Sequence, residues 1–277
     1  MQILIKSLIV LSIYLACSAA LAAPESAPDR ERGEGPFERL ILRGVTVING
    51  EGAPPVGPMD IVIAGDRITA VRNVGYPGVP IDDARRPTAD TGDRVLELEG
   101  HYVLPGFFDL HAHFGGDDQG VPAEYVAKLW LAHGITTIRE PGSFNGLGWV
   151  QEHQRRSAEN RIAAPHIVPY VGFGMGGDGP IQTPEQARRW VRDIAKQGAA
   201  GIKFFGAPPA VMRAALDEAG KQGLGTAMHH AQLNVTHWNA VDSARSGLTT
   251  LEHWYGLPEA LFEDRVIQHY PPDYNYS

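Results

Sequence analysis

The chain has 277 residues, 43% hydrophobic and 20% charged, and 24 Lys+Arg against 32 Asp+Glu leave a formal net charge of -8. That is a globular balance, and an acidic chain with no basic cluster longer than a pair lacks the footprint of a nucleic-acid or anionic-membrane binder, so the partner is expected to be a small molecule. The single cysteine, Cys17, excludes an internal disulfide and a cysteine-built zinc site, so a bound metal would have to rest on the 11 histidines, on carboxylates or on a modified lysine.

Residues 1–22 read as a signal peptide. Lys6 precedes an apolar run over 8–15, and Ala20-Leu21-Ala22 forms a small-residue cleavage site before Ala23. The run is shorter than the roughly 20 residues of a bilayer span, so export to the periplasm or medium is expected rather than a transmembrane anchor. Tyr14-Leu15-Ala16-Cys17 also resembles a lipoprotein box, and lipidation of Cys17 would be the one route to a membrane. Residues 23–36 are rich in Pro, Glu, Arg and Gly with almost nothing to bury, which predicts a flexible linker.

From 37 to 103 the pattern is that of a small β domain, the N-terminal part of a β-sandwich. β-Branched residues crowd 40–48 and 61–71, and Gly65-Asp66 divides the second run as a hairpin turn. Residues 75–93 have no period, and Val95, Leu96 and Leu98 resume a strand.

Over 104–277 the rhythm changes to α/β. Strand-length apolar runs fall at 104–110, 135–138, 166–171, 201–205, 225–228 and 248–251, with helical stretches between several of them. Thr183-Pro184-Glu185-Gln186 is a capping box with Pro at the first helical position, followed by an apolar face of Ala187, Trp190, Val191 and Ile194. Pro208-Pro209 opens a second helix with Val211, Met212, Ala215, Leu216 and Ala219 on one side. Alternation of this kind predicts a parallel sheet, and without a Gly-x-Gly-x-x-Gly turn a TIM-like (β/α)8 barrel is preferred to a dinucleotide fold.

In such a barrel the chemistry sits at the C-terminal ends of the strands. The first run ends in His111-Ala112-His113, whose alternation puts both imidazoles on one face. The fourth, Gly201-Ile202-Lys203-Phe204-Phe205, sets a lysine among apolar residues, where an ammonium pays for lost hydration. The fifth ends in Met228-His229-His230 and the sixth in Leu251-Glu252-His253. Each feature alone has a structural reading, as a solvated histidine or a lysine reaching to water, but four on the same end of one sheet point to a metal site.

The stretch Val95-Leu96-Glu97-Leu98-Glu99-Gly100-His101-Tyr102-Val103-Leu104-Pro105-Gly106-Phe107-Phe108-Asp109-Leu110-His111-Ala112-His113 resembles the barrel-entry signature of the amidohydrolase superfamily, in particular its imidazolonepropionase-like and prolidase-like members. The resemblance implies two divalent ions, with zinc preferred and iron, manganese and cobalt also suited to the donors. His111 and His113 would bind one ion, and His230 (with His229 as the alternative) and His253 the second. Lys203, carboxylated by CO2, would bridge the two. Asp109, Glu140 and Tyr170 fall at substrate or supporting positions. The implied reaction is hydrolysis of an amide, cyclic amide or dipeptide through a metal-activated water.

The family's general base, an aspartate ending the eighth strand, has no counterpart, since only six strands are counted in 104–277. The chain therefore reads as the N-terminal fragment of a longer enzyme, with an incomplete barrel, poor solubility, weak metal binding and no amide hydrolysis of its own expected. A metal-binding remnant without catalysis is the competing class, and lactone or phosphotriester hydrolysis a further alternative. Self-association of the chain is left open by the sequence.

Overall fold

The computed structural model describes residues 24–262 together with 264, 265 and 267. The expected signal peptide, Cys17 and the segment 271–277 lie outside the described residues.

The first unit is a five-stranded sheet. β1 (Arg39–Val47), β2 (Val56–Ala64) and β3 (Arg67–Asn73) run antiparallel, while β4 (Arg94–Glu97) and β5 (Tyr102–Val103) lie parallel to β1. The expected hairpin turn is present, with Gly65 at φ 56°, a left-handed conformation that glycine adopts without steric cost. Ile41, Val45, Ile61 and Val62 are buried. Asp60 is buried among them and accepts from the Gly44 N–H at 2.9 Å and from the Arg86 guanidinium at 3.3 Å, tying the irregular excursion to the sheet.

The second unit alternates β6 (Phe107–Asp109), α1 (Ala123–Ala132), β7 (Ile135–Glu140), α2 (Leu147–Ala158), β8 (His166–Gly172), α3 (Pro184–Lys196), β9 (Gly201–Phe204), α4 (Pro209–Lys221), β10 (Gly225–His229), α5 (Ala240–Arg245) and β11 (Thr250–Glu252). Among the described residues the six strands pair in sequence order, all parallel, as a curled half-barrel, which is an incomplete TIM barrel. The capping box of α3 forms as its sequence requires, with Thr183 accepting from Gln186 N–H and the Gln186 side chain accepting in return. Ala187, Trp190, Val191 and Ile194 then bury against Val211, Met212, Ala215 and Leu216 of α4 and Ile202 and Phe204 of β9. Each large side chain removed from water in this way contributes about 1.5–3 kcal/mol.

One expectation fails here. The described part of 23–36 is not a free linker but a strap along α2. Trp149 Nε1 donates to the Pro24 carbonyl at 3.2 Å, the Ala27 N–H donates to His153 Nε2 at 3.0 Å, and the Arg30 N–H donates to the Arg161 carbonyl at 2.7 Å. Asp29 pairs with Arg156 and Arg161. Composition misleads because one small apolar side chain is enough: Ala27 is 4% exposed, packed in the cluster of Phe114, Val150 and Ile162, and directional polar bonds do the rest.

Candidate active site

The strand ends of the half-barrel gather four imidazoles and a lysine. The rings of His111 and His113 are 5.5 Å apart, those of His111 and His253 4.8 Å, and those of His229 and His253 4.9 Å. Lys203 lies one layer below, in register with Ala227 of β10 and Gly172 of β8, while His229 is level with Glu252. Residues two apart share a face, so Ala227 and His229 look into the barrel with Lys203.

That alternation corrects the choice on the fifth strand. His230, preferred on the pattern of His followed by Ala, is turned out of the barrel, where its Nε2 lies 2.8 Å from Ser243 Oγ, itself the acceptor of the Trp238 indole N–H at 2.7 Å. The alternative, His229, faces the other histidines. Burial, reinforced by the neighbouring charges of His253 and Lys203, pushes the His229 imidazole down to about 4, so it is neutral near pH 7. A neutral imidazole is the form that can donate a lone pair to a metal.

Lys203 is 2% exposed, and burial pushes its ammonium down to about 8 against the pull of the Glu252 and Glu140 carboxylates. His253 holds the left-handed region at φ 61°, uncommon for a residue other than glycine, and its ring lies beside that of His111.

Two carboxylates orient the paired histidines. Glu140 is buried and accepts from three backbone N–H groups, those of Phe114 at 2.6 Å, Gly142 at 3.1 Å and Ser143 at 3.3 Å. A carboxylate oxygen accepts, so His113 Nδ1, 3.2 Å away, is the donor, and in the neutral ring that tautomer has Nε2 bare. The same logic applies to His111, whose Nδ1 is 2.6 Å from Glu252 Oε2. The other oxygen of Glu252 accepts from the Arg139 guanidinium and from Thr250 Oγ1 at 2.9 Å. Burial would raise Glu252, but its bonds to His111 and Thr250 and the charge of Arg139 outweigh that and hold it down to about 2.

Asp109 accepts from the His111 backbone N–H at 2.8 Å and so shapes the turn that presents that histidine. Tyr170, expected at a substrate or supporting position, packs beneath Arg139. It is level with Gly201 at the start of β9, its ring lies under the Arg139 guanidinium at 5.1 Å, and it fills the floor of the barrel. Glycines 201 and 225 admit it: a Cβ at Gly225 would fall 1.9 Å from its hydroxyl.

Arg139 and Glu252 were not singled out by the sequence reading, although both are charged residues within strands, the same signal that marked Lys203. The two are partners 113 residues apart, so no local spacing announces the pair.

Among the described residues no three His, Cys, Asp or Glu side chains stand ready-arranged as a metal cage. The donor chemistry nonetheless fits a divalent cation, since the Nδ1 atoms of His111 and His113 are committed to carboxylates, as metal-binding histidines characteristically are. Beside the cluster, Phe205, whose ring is 5.5 Å from His229, also lines a cavity of about 320 Å³ with Pro208, Met228 and Trp238.

No family model matches the chain. It is 30% identical over 171 residues to an adenine deaminase of Deinococcus radiodurans, covering 55% of this chain and 29% of that protein. It is 27% identical over 191 residues to an N-acyl-D-aspartate deacylase of Alcaligenes xylosoxydans xylosoxydans, covering 66% of this chain and 35% of the relative. Among solved structures, one described as a prolidase of Bifidobacterium longum superposes with a TM-score of 0.60 at 25% identity, covering 78% of this chain and 54% of that one. The chain thus spans about a third of the length of these two curated relatives and about half of the solved structure. In sequence and in fold, along the part it shares with them, it is similar to hydrolases of the amidohydrolase superfamily that act on carbon–nitrogen bonds.

Proposed function

We propose that the chain carries the working face of a metal-dependent hydrolase of carbon–nitrogen bonds, the substrate being an amide, a cyclic amide or a dipeptide. The observation that carries this reading is the convergence of His111, His113, His229 and His253 above a buried Lys203 at the C-terminal ends of parallel strands.

His111 and His113 would hold one divalent ion through Nε2, and His229 and His253 a second. Lys203 suits the bridging position. With its ammonium lowered to about 8, a neutral amine is accessible near neutral pH. The nitrogen lone pair can form an N–C bond to CO2 with release of a proton, which replaces a buried cation by a carbamate anion. Ions so held would supply a Lewis acid for the scissile carbonyl and a water of lowered pKa, and zinc, iron, manganese and cobalt all suit imidazole and carboxylate donors. Glu140 and Glu252 keep the two imidazoles of the first strand in the tautomer with Nε2 bare. Phe205 screens the cluster on one side.

The complete reaction is proposed for the whole protein, since the chain spans part of its relatives. The test is zinc content after purification with bicarbonate, together with release of amine from N-acyl amino acids and Xaa-Pro dipeptides. Two zinc ions per chain, lost on His111→Asn or His253→Asn, support the reading, and hydrolysis abolished by a chelator and restored by zinc completes it. Zinc bound without hydrolysis makes this chain a metal-binding remnant. No zinc bound leaves the histidines structural and ends the reading.

A further inference from the structure

Arg139 stands where no property of an isolated strand requires it. It is 6% exposed, on β7, and its guanidinium makes three bonds into the barrel: Nε donates to the Leu110 carbonyl at 2.6 Å, Nη1 to Thr250 Oγ1 at 2.8 Å, and Nη2 to Glu252 Oε1. Its backbone carbonyl accepts from the Ala112 N–H at 3.1 Å. The residue therefore grips the chain on both sides of His111 while holding the carboxylate that faces His111.

We propose that Arg139 is a positioning residue that acts through Glu252 to fix the tautomer of His111, so that Nδ1 carries the proton and Nε2 is free to bind a metal. The inference rests on the metal-site reading for its purpose but not for its test. Arg139 can only donate, so the oxygen it meets must be an acceptor. That settles Oε1 and leaves Oε2 for His111, and an ionised carboxylate presents an acceptor there too. The His111 Nδ1 must then be the donor.

The arrangement makes a specific prediction for Glu252→Gln. An amide has one acceptor and one donor end. Arg139 claims the oxygen, which turns the NH2 towards His111, and Nδ1 must then accept, so the ring proton moves to Nε2. In Arg139→Met/Glu252→Gln only the Thr250 hydroxyl still faces that end of the amide, and because a hydroxyl accepts as well as donates, the amide can turn its oxygen to His111 and Nδ1 regains its proton. A residue that merely supported the fold would not produce this reversal.

The measurement is long-range 1H–15N correlation NMR of the metal-free chain labelled at histidine, with the His111 signals assigned by His111→Asn, run at about pH 8.5 where an ordinary imidazole is neutral. The expected result is an Nδ1-protonated His111 in the unmodified chain, an Nε2-protonated one in Glu252→Gln, and a return to Nδ1 in the double variant. Zn2+ titration should follow the same order, with affinity about 10–100-fold weaker in Glu252→Gln, as for lost partners of metal-bound histidines, and largely recovered in the double variant. An Nε2-protonated His111 in the unmodified chain overturns the proposal without any variant having to fold. So does a double variant that keeps the tautomer of Glu252→Gln. Absence of Zn2+ binding by the unmodified chain defeats the metal reading instead, and leaves the tautomer result to decide this one.

Discussion

Glu252 Oε2 lies 2.6 Å from His111 Nδ1, so a side chain from the last strand of the half-barrel holds one that follows the first. Among the described residues β6 and β11 are the two edges of the six-stranded sheet, and the carboxylate links them where no backbone ladder does. The site is thus assembled by the curl of the sheet, and its integrity can be probed through the residues that shape that curl.

The floor of the barrel is one such place. Gly225→Ala puts a methyl group 1.9 Å from the Tyr170 hydroxyl and 2.8 Å from Cζ, with the ring backed by Arg139. The expected cost is about 1–3 kcal/mol, the usual range for overpacking a filled core, read as a lower urea midpoint. Adding Tyr170→Phe removes the clashing oxygen and should restore part of the loss.

Lys203 should make the metal-free chain more stable in alkali. Its folded pKa of about 8 lies below the ordinary 10.5, so between these values the unfolded chain binds the proton that the native chain has released. Stability then rises with pH through that window. Lys203→Met removes this slope and stabilises the metal-free chain at neutral pH by about 3 kcal/mol, the equivalent of the shift. The same substitution should abolish binding of a second zinc ion. Denaturant unfolding at a series of pH values measures the first effect and zinc titration the second.

On the acid side His229 and His230 set the trend. Burial pushes each imidazole down to about 4 from 6.5, so as pH falls through that interval the unfolded chain takes up protons that the native chain resists, and stability declines. His230→Asn should flatten the decline while leaving zinc affinity within about twofold, because His230 faces Ser243. His229→Asn should flatten it and also weaken zinc binding by more than about tenfold. Equal effects of the two substitutions on zinc would return His230 to the site.

Removal of residues 24–34 should loosen α2. It takes the Ala27 donor from His153, a fully buried imidazole whose Nδ1 is already bound to the Trp149 carbonyl at 2.8 Å. A buried acceptor left without its partner costs about 1–3 kcal/mol. Hydrogen exchange should quicken along α2 and in the Phe114 loop it packs against, with α3 and α4 unaffected.

The fold was legible wherever a local rule decides the structure. Thr183, Pro184 and Gln186 announce the start of α3, and the spacing of Ala187, Trp190, Val191 and Ile194 announces the face it buries. Lys203 was legible because a charge inside an apolar strand demands a partner. The choice between His229 and His230 needed the strand's register against β9, which a motif of adjacent residues does not contain. Arg139 and Glu252 were missed because their meaning is a contact across the barrel. The described part of 23–36 was misread because average composition hides one well-placed alanine and a few directed hydrogen bonds.

The strap has a practical consequence for anything attached to the chain. Because Trp149 pins Pro24 near the start of α2, and Glu25 borders the loop of Gly116 and Pro122, polypeptide fused ahead of residue 24 emerges on the barrel's flank. It does not emerge from the β-sheet unit that comes next in sequence. An affinity tag or fluorescent partner placed there would stand beside α2 and the Gly116 loop.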